Sequence, residues 1–335
     1  MSPDQNRPVA VVTGGSAGVG RAVVQELARR GYDVGVLARG RAGVEAAVAE
    51  VEQAGGRGLA LIADVSDHAA VAEAARRVED ELGPIDVWVN NAMTTVFGAV
   101  EDVTPDEFRR ATEVTYLGQV WGTMVALEHM RPRDRGTIVS VGSALAFRGI
   151  PLQSAYCGAK FAVRGFHDSV RTELIDAGSS IRLTEVHLPA VNTPQFGWCR
   201  SKLDHHPQPV PPIYEPEVAA RTIAEAIDDT PRHQLLGTWN WMIVRLSQAM
   251  PGVGDHYLAR TGVDSQKTDM EISADRPDDL FEPVDDDRDV GAHGIFGDQT
   301  GGVLQLGFLK TLPKTVYELG ASVVGRAQQV KDQRG

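Results

Sequence analysis

The sequence predicts an α/β fold of parallel βαβ units, and three observations predict it. Short apolar runs with a β-branched bias alternate with longer stretches of helical periodicity. A glycine-rich segment, Thr13-Gly-Gly-Ser-Ala-Gly-Val-Gly20, joins the first such run to the first such stretch. Further on, Tyr156 and Lys160 stand at i and i+4, thirteen positions after Ser143.

The first strand is expected over residues 9–12, and a helix over 19–30 follows the glycines. Gly14 permits the tight turn, while Gly18 and Gly20 let backbone and helix approach a pyrophosphate. The helix start offers unpaired N–H groups and a positive partial charge, so the unit reads as a dinucleotide cradle. The second strand, 33–38, ends in Arg39 with Arg41 close behind, where a carboxylate would serve the ribose of NAD. A guanidinium there suits a 2'-phosphate, so NADP(H) is preferred over NAD(H). A helix over 42–54 leads to a third strand ending in Asp64 and Val65, whose acid suits an adenine amino group. Helices over 67–82 and 104–130 flank a fourth strand, 85–92, which carries Asn90-Asn91-Ala92.

The strand expected over 137–141 runs into Gly142-Ser143 and leaves the Ser143 hydroxyl at the carboxyl edge of the sheet, where open α/β sheets bind ligands. A helix over 154–176, with Ser154 as its expected N-cap, puts Tyr156 and Lys160 on one face. Making a phenol with a pKa near 10 useful at neutral pH means lowering it by about three units, or about 4 kcal/mol. An ammonium at about 4 Å in an effective dielectric of about 20 supplies that much. A dinucleotide cradle and a phenol poised by an ammonium point to hydride transfer between a carbonyl and an alcohol.

With these residues in this order, the sequence resembles the short-chain dehydrogenase/reductase family of the Tyr-x-x-x-Lys type, over about residues 8–260. The resemblance implies one doubly wound, Rossmann-like domain with a seven-stranded parallel sheet, here residues 1–262, plus a C-terminal extension. It implies an NAD(P)-dependent enzyme acting on CH–OH donors, paired as a homodimer or homotetramer. It assigns Gly14, Ser16, Gly18, Val19 and Gly20 to the phosphates and ribose, Asp64 and Val65 to adenine, and Asn91 and Ala92 to the underside of the ribose. Tyr156 becomes the proton donor and acceptor, Lys160 the holder of the nicotinamide ribose, and Ser143 the partner of the substrate oxygen. In Pro189-Ala-Val-Asn-Thr193, Val191 and Thr193 match the positions that hold the carboxamide, with Ala190 in place of a usual glycine. Met93 also replaces a glycine. Thr115 stands where the family places an Asn that holds a relay water; a Thr bonded to its i−4 carbonyl bends a helix, so the relay is expected to run through the Thr115 carbonyl.

With 335 residues, 42% of them hydrophobic, the chain buries a full core and exceeds what such a domain needs. A net charge of −12 disfavours nucleic-acid partners, and two cysteines, Cys157 and Cys199, fit a reducing compartment. With no membrane-spanning run and no signal peptide, the expectation is cytoplasmic. The loop 193–217, with Phe196, Trp198 and Tyr214, falls where a substrate lid belongs. With Met93, Leu145, Phe147 and Ile150 it either lines a pocket for a bulky apolar carbonyl or alcohol or only packs the loop onto the sheet. His205-His206 has no third ligand and the other histidines are scattered, so no metal is expected.

A helix over 216–229 and a last strand over 236–243 complete the domain. Residues 263–300 form an acidic stretch, with twelve acids against three cations between Asp264 and Asp298, expected as a solvated, loosely ordered arm. The segment 301–335 places Leu309, Leu312, Val316, Leu319, Val323 and Val330 near helical spacing after a possible cap at Thr311. Docking on its own domain or a partner subunit is preferred to a membrane surface. Two rival readings are a serine hydrolase using Ser16 in Gly14-x-Ser-x-Gly18, which has too little chain before it, and a non-catalytic NADP(H)-binding regulator of the same fold.

Overall fold

The computed structural model describes residues 7–300 except 274 and 275; the expected terminal helix lies outside the described residues. Strands β1 (Val9–Thr13), β2 (Asp33–Ala38), β3 (Gly58–Ile62), β4 (Ile85–Asn90), β5 (Thr137–Ser143), β6 (Arg182–Leu188) and β7 (His233–Leu235) form one parallel sheet in the order β7-β6-β5-β4-β1-β2-β3. The order reverses between β1 and β4, and that switch point places a ligand crevice at the strands' carboxyl ends. The expected seven-stranded, doubly wound fold is therefore the observed one.

Period-two alternation divides the core between the two faces of the sheet. Val12, Val36, Val89 and Val139 face helices α1 (Gly18–Arg29), α2 (Arg41–Gln53) and α7 (Pro216–Asp229). Val11, Leu37, Trp88 and Ile138 face α3 (His68–Glu81), α5 (Gly118–Met130) and α6 (Ser154–Asp176). These side chains are fully or almost fully buried, each contributing about 1.5–3 kcal/mol for a Val, Leu or Ile. Helix α4 (Pro105–Thr112) starts at a capping box: the Glu107 amide donates to Thr104 Oγ1 at 3.3 Å, and the Thr104 amide donates to Glu107 Oε2 at 2.9 Å. A π-helical turn, Glu113–Leu117, joins α4 to α5.

Three expectations need correction. The last strand is His233–Leu235, and the sequence read as strand over 236–243 turns at Gly237 (φ +83°) into α8 (Thr238–Ala249), followed by α9 (Pro251–Thr261). Aromatic Trp241 and β-branched Ile243, which favour a strand, instead lie exposed on a helix with Met242. Ser154 does not cap α6; Gln153 holds the N-cap position without a side-chain cap.

The acidic arm is the third. Lys267–Glu271 pairs antiparallel with His205–Pro207. Arg276 donates to the Phe196 carbonyl at 3.1 Å and also to that of Cys199. Leu280 is 0% exposed beside Val96, Ala111 and Ala155, and Phe296 packs with Phe97 and Phe196. Net charge alone read this stretch as solvated; two buried apolar anchors and cations supplied by the domain seat it instead.

Candidate active site

Ser143 ends β5 with its side chain buried, and its Oγ accepts from the Leu145 amide at 3.1 Å while hydrogen-bonded to the Tyr156 hydroxyl. Two residues into α6, Tyr156 presents its ring to Lys160, whose Nζ lies 5.5 Å from the ring centroid. The Lys160 ammonium is 2% exposed and donates to the Val141 carbonyl at 2.7 Å. The three residues thus converge where β5 meets the start of α6.

Their protonation departs from the simple expectation of an acidified phenol. Burial pushes the Tyr156 hydroxyl up to about 12, against the opposing pull of its bond to Ser143. Burial also pushes Lys160 down to about 7, with the Glu185 carboxyl acting the other way. At neutral pH the phenol holds its proton, so the arrangement is set up as an acid. Desolvation outweighs the bond from Ser143, a balance that sequence spacing cannot show.

Thr115 lies within the π-helical turn, 0% exposed. Its hydroxyl donates to the Thr94 carbonyl at 2.7 Å and accepts from the Thr94 amide at 3.0 Å. The expected bond to its own i−4 carbonyl is not the one made; the hydroxyl fastens the turn to the loop after β4.

The glycine cradle is built as its residues require. Gly14 and Gly18 take φ of +65° and +56°, and a Cβ on Gly20 would stand 2.0 Å from the Gly14 carbonyl oxygen. Asn91 Nδ2 donates to the carbonyls of Thr13 (3.0 Å) and Gly14 (3.2 Å), while the amides of Asn91 and Ala92 donate to Thr13 Oγ1. Asn91 thereby clamps the turn from below. Arg21, 1% exposed, ties the carbonyls of Ser16 and Gly43 together and pairs with Glu50. Val19 lies on the first turn of α1, and Val191 and Thr193 lie buried after β6. A Cβ on Gly18 would stand 3.3 Å from Thr193, so cradle and carboxamide positions share one crevice. The chemistry of this turn, glycines with backbone N–H groups at a helix start, fits the pyrophosphate of a nicotinamide dinucleotide.

Asp64 follows β3 by two residues, accepts from the Ser66 amide and hydroxyl at 2.9 and 2.8 Å, and forms an ion pair with Arg110. Burial raises its pKa, but the bonds from Arg110 and Ser66 prevail and hold the carboxylate below its ordinary range. Val65 is buried next to it, against Gly118 of α5.

Sequence reasoning missed what crosses this crevice. Arg39 donates to the carbonyls of Phe281 (2.9 Å) and Asp279. The Gly18 amide donates to the Gly291 carbonyl at 3.1 Å, and the Gly43 and Ala42 amides donate to the carbonyls of Asp285 and Asp286. Asp289 pairs with Arg21 at 3.2 Å, Asp279 accepts from Thr94 Oγ1, and the Phe296 amide donates to Asn192 Oδ1 at 3.0 Å. The arm therefore engages residues at the adenosine, pyrophosphate and carboxamide ends of the expected site. No local signal marks these partners, which lie hundreds of positions apart in several cases.

The family profile described as short chain dehydrogenase matches residues 8–203. An uncharacterised oxidoreductase, YxnA, of Bacillus subtilis is 31% identical over 260 residues, covering 77% of this chain and 73% of its own. The chain belongs to the short-chain dehydrogenase family. A short-chain dehydrogenase from Streptomyces avermitilis shares the fold with a TM-score of 0.65 at 27% identity, covering 78% of this chain and 99% of its own. An alcohol dehydrogenase from Thermococcus sibiricus, solved with 5-hydroxy-NADP, gives 0.59 at 27% identity, over 69% of this chain and 95% of its own. As a short-chain dehydrogenase this chain is an oxidoreductase that binds a nicotinamide cofactor and acts on CH–OH donors or carbonyls. Among the described residues, no helix is long and apolar enough to cross a membrane.

Proposed function

We propose that the chain interconverts a carbonyl and a secondary alcohol with NADP(H), Tyr156 acting as the general acid and base. The observation that carries this reading is the Ser143–Tyr156–Lys160 convergence at the carboxyl end of β5, beside the glycine cradle. The bound dinucleotide supplies or takes the hydride. Ser143 and Tyr156 hold the substrate oxygen, and Tyr156, protonated at neutral pH, gives that oxygen its proton during reduction. Lys160, fixed to the Val141 carbonyl, stands beside the phenol and is the residue to hold the nicotinamide ribose. Gly14, Ser16, Gly18, Val19 and Gly20 take the phosphates, and Arg39 takes the 2'-phosphate.

The substrate reading narrows on packing. Phe196 is spent on a small core with Phe97 and Phe296, and Phe147 stacks edge-on against His187 at 4.6 Å. Met93, Leu145 and Ile150, partly exposed, are left to support a bulky apolar substrate. Buried, unpaired Cys157 and Cys199 support a reducing, cytoplasmic setting, and the family's pairing habit supports a homodimer or homotetramer. Oxidation of NADPH, and more slowly of NADH, is expected across a panel of hydrophobic aldehydes and ketones. NADPH binding with no turnover on any member would instead favour a regulator of the same fold.

In this reading the arm and the dinucleotide compete for one crevice. The Asp285→Ala/Asp286→Ala double variant, losing the bond from the Arg41 amide to Asp286 and two carboxylates beside α2, is expected to bind NADPH about tenfold more tightly, or about 1.4 kcal/mol. Fluorescence titration checks this; unchanged affinity means the arm does not compete. Burial pushes Asp279 up to about 7. A raised carboxyl pKa favours the docked arm at low pH, and that contribution is lost as pH rises through about 7. Dinucleotide affinity should therefore improve as pH rises from about 4 to about 7 and level off above it, a response that Asp279→Asn removes.

A further inference from the structure

The histidines that looked scattered along the chain meet in the fold. Glu185 and His187, two positions apart on β6, point to one face of the sheet, and the register of β7 sets His233 opposite Glu185. Helix α6 brings His167 to the same place. The side chains of His167, Glu185 and His187 are 0%, 1% and 0% exposed, and that of His233 is 24% exposed.

Two facts set this cluster apart from a packed polar core. Neither carboxylate oxygen of Glu185 has a hydrogen-bond partner among the described residues, nor does Nδ1 of His167. Native proteins rarely leave such atoms buried and unpaired. The second fact is spacing. His187 Nε2 lies 3.2 Å from His233 Nδ1 and 3.6 Å from Glu185 Oε2, while Glu185 Oε1 lies 3.8 Å from His233 Nδ1 and 3.7 Å from His167 Nδ1. Four ligands at about 2.0–2.1 Å from a tetrahedral ion stand about 3.4 Å from one another. The observed separations bracket that value. Ser140 Oγ holds His167 Nε2 at 2.8 Å, which fixes the ring with Nδ1 directed at Glu185, where it serves as an outer partner of that carboxylate.

We propose that Glu185, His187 and His233 bind one divalent first-row ion, zinc by its preference for tetrahedral sites of nitrogen and oxygen donors, with His167 backing the Glu185 carboxylate. The three protein ligands join β6 to β7, and His167 links them to α6 two turns after Lys160, so the ion holds the helix that carries Tyr156 and Lys160 against the sheet. The site corrects the expectation of no metal, which rested on His205-His206; His205 instead pairs with Asp204.

The test uses untagged full-length protein, stripped with a chelator and reloaded with zinc chloride or cobalt chloride. Elemental analysis should find about one zinc per chain after gel filtration, with a higher Tm, and cobalt(II) should show the visible bands of a tetrahedral site. Glu185→Gln keeps the volume, and His233→Ala alters the least buried ligand. Each should retain roughly tenfold less zinc and lose the cobalt bands while circular dichroism shows a folded chain. His205→Ala/His206→Ala and Glu217→Ala/His293→Ala, which remove the other histidine-bearing groups, should keep the ion. Folded wild type that retains no zinc, or retention undiminished in Glu185→Gln and His233→Ala, overturns the proposal.

Discussion

Tyr156→Phe is expected to lower kcat for carbonyl reduction by about 10³-fold or more, near the upper range for loss of a general acid. The change removes one oxygen from a ring whose position is otherwise held by α6 and by its contact with Lys160. Dinucleotide affinity should stay within about threefold, and Tm should hold or fall slightly, because Ser143 loses the Tyr156 hydroxyl but keeps its bond from the Leu145 amide. A Tyr156→Phe enzyme turning over within tenfold of wild type would remove Tyr156 from the proton path. Because burial pushes this phenol up to about 12, wild-type reduction should show no loss attributable to Tyr156 below that range.

Arg39→Ala carries the second large effect, and it acts in opposite directions on the two dinucleotides. A guanidinium lost from a phosphate costs about 1.5–3 kcal/mol, which weakens NADPH by roughly 10- to 100-fold. The same substitution frees the carbonyls of Asp279 and Phe281, loosening the arm from the adenosine end of the crevice. NADH, which gains from the looser arm and has no 2'-phosphate to lose, should bind more tightly. The looser arm helps both dinucleotides alike, so the NADPH-to-NADH affinity ratio is expected to fall by the phosphate contribution alone, roughly 10- to 100-fold. Parallel titrations of wild type and variant measure it, and an unchanged ratio would place the 2'-phosphate elsewhere.

What the sequence made legible is what local spacing encodes. Gly14, Gly18 and Gly20 are read from a turn that only glycine makes, and Tyr156 and Lys160 from one helical face. Arg39 is read from its place at the end of β2. The rest depends on long-range partners. Asp64 gives no sign of Arg110, which meets it from α4, and the charge of the arm hides Leu280 and Phe296, the two residues that seat it. The Tyr156 phenol moves opposite to the expected direction because burial is a property of the fold. Glu185 and the histidines around it come from α6, β6 and β7, so no spacing along the chain announces them.

The reaction is measured most directly with NADPH carrying deuterium at its transferable position and a hydrophobic ketone as partner. The alcohol formed should match the NADPH consumed one for one and carry the deuterium on its carbinol carbon, with the hydroxyl proton supplied through Tyr156 and Tyr156→Phe forming almost none. Alcohol without the label, or dinucleotide that binds and is never consumed, would contradict hydride transfer at this site.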